Sequence, residues 1–264
     1  MVYFPEGSFL ERVKATVELG YQVYIFDNSP SQRFIFDFAE TMSNCFYGTF
    51  GENVGLGIGI SRICKQAFQD GFEALLFFDQ DTLYSKVTLE YVNSFHEYRN
   101  IEFNLFAAVQ FSNSVSDHGF LFSEFPLREA KLLISSGSLF NLNMLHKMNW
   151  HNEAYFVDGV DYEFCLRACI NGFLLGKCLN TPEFDHVSGQ EDREYLIFAS
   201  KLYLRAYNAK RLKDILLSYV KLIILSVRHL KIDYLFIFLK SFLQFTFYQI
   251  LVRILKFVQN NERN

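Results

Sequence analysis

Five consecutive apolar residues, Ala74-Leu75-Leu76-Phe77-Phe78, stop abruptly at Asp79-Gln80-Asp81-Thr82. A strand that is apolar on both faces must be covered on both faces, the condition of an inner strand in a parallel sheet flanked by helices. The preceding residues keep the same rhythm. Phe9, Leu10, Val13, Val17 and Leu19 fall on one face of a helix, and Gly20 ends it. Tyr21-Gln22-Val23-Tyr24-Ile25-Phe26 then reads as a strand running into the turn Asp27-Asn28-Ser29-Pro30. A helix is predicted over Ile58–Asp70, with Gly71 as its C-terminal stop. Strand, helix and strand in this order predict an α/β domain, Rossmann-like, with a mostly parallel sheet and flanking helices. Ligands of such sheets sit beyond the carboxyl ends of the strands. Asp27 and Asp79 stand at two such ends. Farther on, Phe106–Phe111 and Leu132–Ser136 are predicted strands, and Val157–Ile170 a loop entering a helix that stops at Asn171-Gly172.

Composition limits what surrounds this sheet. The 264 residues are 50% hydrophobic and 20% charged, enough for one large core or a domain with an appendage, and unlike a disordered chain. The net charge of −4 hides a division. Residues 1–192 carry 12 Lys and Arg against 25 Asp and Glu, whereas residues 193–264 carry 13 against 4. An acidic domain suited to cations is thus followed by a basic segment suited to an anionic surface. That segment holds two apolar runs, Ile215–Val227 and Tyr234–Ile250, bordered or interrupted by Lys210, Arg211, Lys213, Lys221, Arg228, Lys231, Lys240, Arg253 and Lys256. Neither run is about 20 uninterrupted apolar residues. They read as helices lying in a membrane interface; packing on the first domain or on a second copy, and a single span, are the alternatives. The expected division is a domain over 1–208 and a helical membrane-association segment over 209–264. The five cysteines are odd in number and lack C-x-x-C spacing, which points to reduced thiols in a cytoplasmic compartment. Met1 to Glu6 offers neither the basic nor the apolar region of a signal peptide, so none is expected.

Four groups of residues can carry chemistry. Asp79 and Asp81, one residue apart at a strand end, can reach a single hard cation, and Mg²⁺ or Mn²⁺ favours a few carboxylates completed by phosphate oxygens. The competing reading, a phosphatase nucleophile, expects such a motif at the first strand and Thr or Val where Leu83 stands. Asn53-Val54-Gly55-Leu56-Gly57-Ile58-Gly59 opens the following helix, where backbone amides can approach phosphate, but the spacing is not G-x-G-x-x-G. In Asp158-Gly159-Val160-Asp161-Tyr162-Glu163, any one of three carboxylates could remove a proton from an acceptor hydroxyl. Glu163 and Arg167 could equally form an i,i+4 pair. His186, in Asp185-His186-Val187-Ser188-Gly189, is a candidate further ligand for a cation at Asp79 and Asp81.

In order along residues 2–208, these pieces resemble glycosyltransferase family 2, of GT-A fold, and most of all its bacterial rhamnosyltransferase-like branch. The matching stretches are Ile25-Phe26-Asp27-Asn28-Ser29, Asn53-Val54-Gly55, Phe78-Asp79-Gln80-Asp81-Thr82 and Ser136-Gly137-Ser138. They continue with Phe156 to Arg167, His186-Val187-Ser188-Gly189 and Tyr203-Leu204-Arg205-Ala206-Tyr207-Asn208. The resemblance implies an inverting transfer from a nucleotide-sugar donor to a lipid-linked or glycan acceptor in cell-surface glycan synthesis. Asp27, Asn53, Gly55, Asp79, Gln80, Asp81, Ser136 and Gly137 would bind the donor. Asp161 would be the base, with Asp158, Glu163 and Arg167 as alternatives or acceptor contacts, and Asp79, Asp81 and His186 would meet Mg²⁺ or Mn²⁺. Such a chain is expected on the cytoplasmic face of the cytoplasmic membrane, with no nucleic-acid partner and a homo-oligomer left open. Relatives carry a full first strand ending in an Asn-Pro-like turn; here Phe4-Pro5 stands in its place, and most of that strand is expected to be lacking. A non-catalytic membrane-bound copy is the reading this departure would favour.

Overall fold

Residues 1–30, 33–98, 103–114, 125–186, 193–197 and 200–261 are described by a computed structural model. They form two compact units, Met1–His186 and Val187–Asn264.

The first unit opens with α1 (Gly7–Glu18), β1 (Val23–Asp27), α2 (Arg33–Glu40), β2 (Cys45–Thr49), α3 (Leu56–Gln69) and β3 (Ala74–Phe77). It continues with β4 (Thr82–Leu83), α4 (Lys86–Tyr98), β5 (Phe106–Phe111), β6 (Leu127–Glu129) and β7 (Ser138–Asn141). The last elements are α5 (Leu142–Lys147), α6 (Val160–Ile170), β8 (Leu174–Cys178) and β9 (Asp185–His186). β1 and β2 pair in parallel. A five-stranded sheet runs in the order β3-β7-β5-β8-β6. In it β5 and β8 are parallel, while β7 lies antiparallel between β3 and β5. The architecture is the expected α/β one, a central sheet with flanking helices. This sheet is mixed, however, and not mostly parallel: three of its four pairings are antiparallel. β3, expected as an inner parallel strand, is its terminal strand, paired antiparallel with β7.

Burial explains the order of elements. Every residue of β5 is buried: five of its six residues are apolar, and the sixth, Gln110, is buried with them. Phe95, Phe103, Phe106, Phe111 and Phe125 gather around it, and each fully buried ring contributes about 1.5–3 kcal/mol. Val13 and Ile35, from α1 and α2, cover Ile25 and Val2. Val2 pairs in parallel with Asp27; its N–H donates to the Phe26 carbonyl at 3.0 Å, and its own carbonyl accepts from Asn28 N at 2.9 Å. The Met1 amine donates to the Phe78 carbonyl at 3.0 Å. The first residues thus lie between the ends of β1 and β3.

One predicted strand is corrected. Leu132–Ser136 is not a strand; the chain pairs before it, in β6, and after it, in β7. Gly137 adopts φ +76°, and Ser138 N–H donates to the Ser135 carbonyl at 3.0 Å, so Ser135-Ser136-Gly137 makes a tight turn where an extended ladder would run.

In the second unit β10 (Arg193–Ile197) and β11 (Ser200–Leu204) form an antiparallel hairpin ahead of α7 (Ala209–Arg228) and α8 (Ile232–Asn261). The hairpin packs on α8: Tyr195 and Leu204 surround Val252, and Gln249 bonds both the Arg205 carbonyl and Tyr207 N. The chain therefore divides after His186, whereas the expected boundary lies at residue 208. Asn208 caps α7 by accepting from Arg211 N at 2.9 Å. Ile232–Lys256 is one continuous helical stretch, with mean hydropathy 1.6, long and apolar enough to cross a membrane. The sequence-level reading missed this length because Lys240, Gln244 and Gln249 break the apolar run without breaking the helix. Ile232, Phe236, Leu239, Leu243, Phe247, Ile250 and Ile254 recur every three or four residues on its exposed side.

Candidate functional site

The carboxyl ends of β1 and β3 carry the first two acidic positions. Asp27 is fully buried. Its Oδ1 accepts from Ser29 N at 2.8 Å and its Oδ2 from the Tyr47 hydroxyl at 3.1 Å. Burial, reinforced by the Asp27 charge, pushes the Tyr47 hydroxyl up to about 12, so it stays a donor. Asp27 thus ties the ends of β1 and β2 together. Next to it, buried Asn28 accepts from Val54 N and donates to the Gly55 carbonyl, both at 3.2 Å. That pair of bonds clamps the α3 entry loop to the end of β1.

Asn53 and Gly55 shape this loop. Asn53 Oδ1 accepts from Gly55 N at 3.0 Å, an Asx turn. Gly55 has φ +89°, and any Cβ there would collide with the Phe156 carbonyl. The first-turn amide of Leu56 donates to that same carbonyl at 2.5 Å. The glycines therefore serve close packing of α3 on the loop that carries Asp158, and this brings the Asn53-Gly55 turn beside the third acidic stretch.

Asp79-Gln80-Asp81 forms the turn between β3 and β4, with Asp79 half-buried and Asp81 exposed. Gln80 is held by the protein: its Oε1 accepts from Tyr3 N at 2.7 Å, and its carbonyl from Arg12 at 2.5 Å. Asp79 N–H donates to Ser136 Oγ at 3.1 Å, and the Thr82 and Ser136 hydroxyls lie 2.5 Å apart. Gly137 anchors the same turn, donating to the Phe77 carbonyl at 2.8 Å, and its positive φ and contact with the Phe184 ring leave no room for a side chain.

Asp161 sits in the first turn of α6, half-buried, where a carboxylate is favoured by the helix dipole. Its Oδ1 accepts from Ser135 N at 3.1 Å and also from the Ser135 hydroxyl. Ser135 was not singled out from the sequence; a small polar cluster between two strands was its only signal. The adjacent serines thus divide the work: Ser136 holds the Asp79 turn and Ser135 holds Asp161.

The other acidic residues of this stretch differ in setting. Asp158 is half-buried in the turn before Gly159, whose φ of +84° starts α6. Glu163 is buried and receives Arg167 Nε at 2.8 Å, Arg167 Nη2 at 3.1 Å and Asn152 Nδ2 at 3.1 Å. Arg167 also donates to the Met148 carbonyl. This is the i,i+4 pair open from the sequence, buried and extended into a network. Glu163→Ala leaves the Arg167 guanidinium, 18% exposed, without its carboxylate; the expected cost is about 3–5 kcal/mol, read as a lower denaturation midpoint.

The main chain of His186 pairs with Thr82, one residue from Asp81. Its side chain and residues 187–189 lie outside the described residues. Among the described residues no group of three His, Cys, Asp or Glu converges as a complete metal cage. Asp79 and Asp81 are nevertheless hard oxygen donors on one turn, the donor set a cation needs when phosphate oxygens and water complete its shell.

In fold the described architecture is similar to solved glycosyltransferase structures. S. aureus TarS 1-349 superimposes with a TM-score of 0.51 at 16% identity, covering 69% of this chain and 56% of that one. A longer S. aureus TarS structure also gives 0.51 at 16% identity, covering 72% of this chain and 36% of that one. A mannosyltransferase from Pyrobaculum calidifontis, solved with GDP-Man and Mn²⁺, overlaps more loosely, with a TM-score of 0.48 at 12% identity over 72% of this chain and 56% of that one. The chain spans little more than half the length of TarS 1-349. No family model and no curated protein matches it.

Proposed function

We propose that this chain transfers a sugar from a nucleoside-diphosphate donor to an acceptor hydroxyl, with inversion at the anomeric carbon, as an enzyme of the family 2 type. The supporting observation is the Ser135-Ser136 turn, which ties the main chain of the D-x-D turn after β3 to the Asp161 carboxylate on α6 through adjacent residues. Asp79 and Asp81 would hold Mg²⁺ or Mn²⁺. When bound, such a cation neutralises charge on the diphosphate leaving group. Asp161, its orientation fixed by Ser135, takes the proton of the acceptor hydroxyl as that oxygen bonds to the anomeric carbon and the bond to the diphosphate oxygen breaks. Glu163 is less suited to this task, because Arg167 and Asn152 engage its carboxylate. Asp27 and Asn28 shape the nucleoside side by holding β2 and the Asn53-Gly55 turn in place. Incubation with a panel of nucleotide-sugars tests the reading: one donor is consumed with release of its nucleoside diphosphate, and a panel in which none is consumed counts against it.

The acceptor belongs at a membrane in this reading, as a lipid-linked sugar or a glycan at the inner face of the cytoplasmic membrane. The exposed stripe of α8 and the exposed Leu216, Leu217, Val220, Ile224 and Val227 of α7 support this, together with the surrounding Lys and Arg. Each basic residue near an anionic surface contributes about 1 kcal/mol. Leu243→Asp with Phe247→Asp in the full chain is expected to weaken binding to phosphatidylserine vesicles more than about tenfold, since each inserted side chain contributes about 1.5–3 kcal/mol. Unchanged vesicle binding removes the membrane from the proposal.

A further inference from the structure

The five-stranded sheet has two faces of different character. Val109, Phe111, Leu127, Leu139 and Cys178 turn one way and pack with Val92 and Phe95 of α4. Side chains alternate along a strand, so Gln110, Arg128, Ser138, Phe140 and Lys177 turn the other way. On this second face the Phe140 ring meets Phe164 of α6, with centroids 5.4 Å apart. It is therefore the side on which α6 carries Asp161. Register sets four of these residues in one row across the sheet: Arg128 opposite Lys177, Lys177 opposite Gln110, and Gln110 opposite Ser138. Gln110 and Lys177 each stand one residue from the end of their strands, at the carboxyl end where sheets of this kind hold ligands.

The row is polar in a sheet that is otherwise apolar. Gln110 is only 8% exposed, and among the described residues its side-chain amide makes no hydrogen bond. A buried amide in that state has lost its hydration without compensation. The Lys177 amine and the Arg128 guanidinium meet no carboxylate among the described residues, although register sets them directly opposite each other. Like charges in that relation destabilise an antiparallel pair. Burial, with the Arg128 charge added to it, pulls the Lys177 amine below its ordinary value. An anion held by all three removes both costs, giving the cations a counter-charge and the amide N–H an acceptor. Phosphate and carboxylate oxygens suit this set, since a guanidinium binds two of them side by side.

We propose that Gln110, Lys177 and Arg128 form an anion subsite, which holds a phosphate or carboxylate group of the acceptor. The subsite stands on the row alone, whereas its assignment to the acceptor rests on the reaction proposed above. Position separates it from the donor. The donor diphosphate belongs at the turn after β3, and β8 is three strands from β3 in the sheet order, roughly 14 Å at the usual spacing. Asp161 is nearer to the row. Ser138 N–H donates to the Ser135 carbonyl at 3.0 Å, and Ser135 in turn orients Asp161. From Ser138 to Lys177 is two strand spacings, about 10 Å, a distance that a short anionic glycan spans. An acceptor can then present its hydroxyl to Asp161 while its charged group rests on Lys177 and Arg128.

The test titrates the full chain with glucose, glucose 6-phosphate and glucuronate, in EDTA and without nucleotide, with binding read by calorimetry. The two charged sugars distinguish phosphate from carboxylate as the group held. At least one of them is expected to bind about tenfold or more tightly than glucose. Arg128→Gln and Lys177→Met are each expected to remove that preference, and Lys177→Met also to raise the thermal midpoint, because it relieves the like-charge contact. Arg128 is exposed, so its variant keeps the fold and decides the matter if the other does not fold. Equal binding of the three sugars overturns the subsite, and so does a preference that survives Arg128→Gln. The acceptor assignment is read separately, with a nucleotide-sugar that the chain consumes. The favoured charged sugar is expected to change the rate of donor consumption, by acting as acceptor or by blocking one; an unchanged rate refutes the assignment. A preference lost in the variants of a chain that consumes no donor keeps the anion subsite and refutes both the reaction and the acceptor assignment.

Discussion

Asp161→Asn is expected to reduce sugar transfer by about 10²–10⁴-fold with donor and acceptor both saturating, the usual contribution of a positioned general base. The substitution keeps the size of the side chain, and an amide oxygen can still accept from Ser135 N and its hydroxyl, so the turn and α6 stay in place. Only the ability to take a proton is removed. Donor binding should therefore persist while turnover falls. Near-normal transfer by this variant would move the base to Asp158. Glu163 is a poorer alternative, because its carboxylate already receives three charge-assisted or amide donors.

Asp79→Ala combined with Asp81→Ala should be at least as severe, about 10³-fold or more, because a bound cation supplies several kcal/mol of charge stabilisation to a departing diphosphate. The fold has little reason to suffer. The bond that anchors this turn to Ser136 comes from the Asp79 main chain, and Gln80 is held through its own side chain and carbonyl. Chelation by EDTA should lower the native chain to the level of the double variant and leave the double variant unchanged. Full activity in EDTA would refute the cation model while leaving the role of Asp161 standing.

Much of the fold was legible where one physical requirement dominated. β5 could be read residue for residue, since five apolar residues out of six point to a strand covered on both faces. Helix α3 and strand β3 followed from their periodicity and glycine stop. The turn at Ser135-Ser136-Gly137 was misread because Leu132, Leu133 and Ile134 form an apolar run too short for periodicity to classify, while the deciding bonds come from Phe77 and Asp161, distant in sequence. In the site, the strand-end carboxylates announce themselves, but their supports do not. Ser135, Tyr47 and Asn28 act through tertiary bonds that no spacing encodes. Glu163 shows the converse, since i,i+4 spacing marked the pair and only burial shows that it braces α6. The glycines after Asn53 looked like a phosphate loop and serve helix-to-loop packing.

The central claim, that the turn after β3 binds a nucleoside diphosphate through a cation, is tested most directly by calorimetric titration of the chain with nucleoside diphosphates. One of them is predicted to bind saturably in Mn²⁺, and to lose that binding in EDTA or in the Asp79→Ala, Asp81→Ala variant. Saturable binding that is the same with and without the cation, or no binding by any of them, would contradict it.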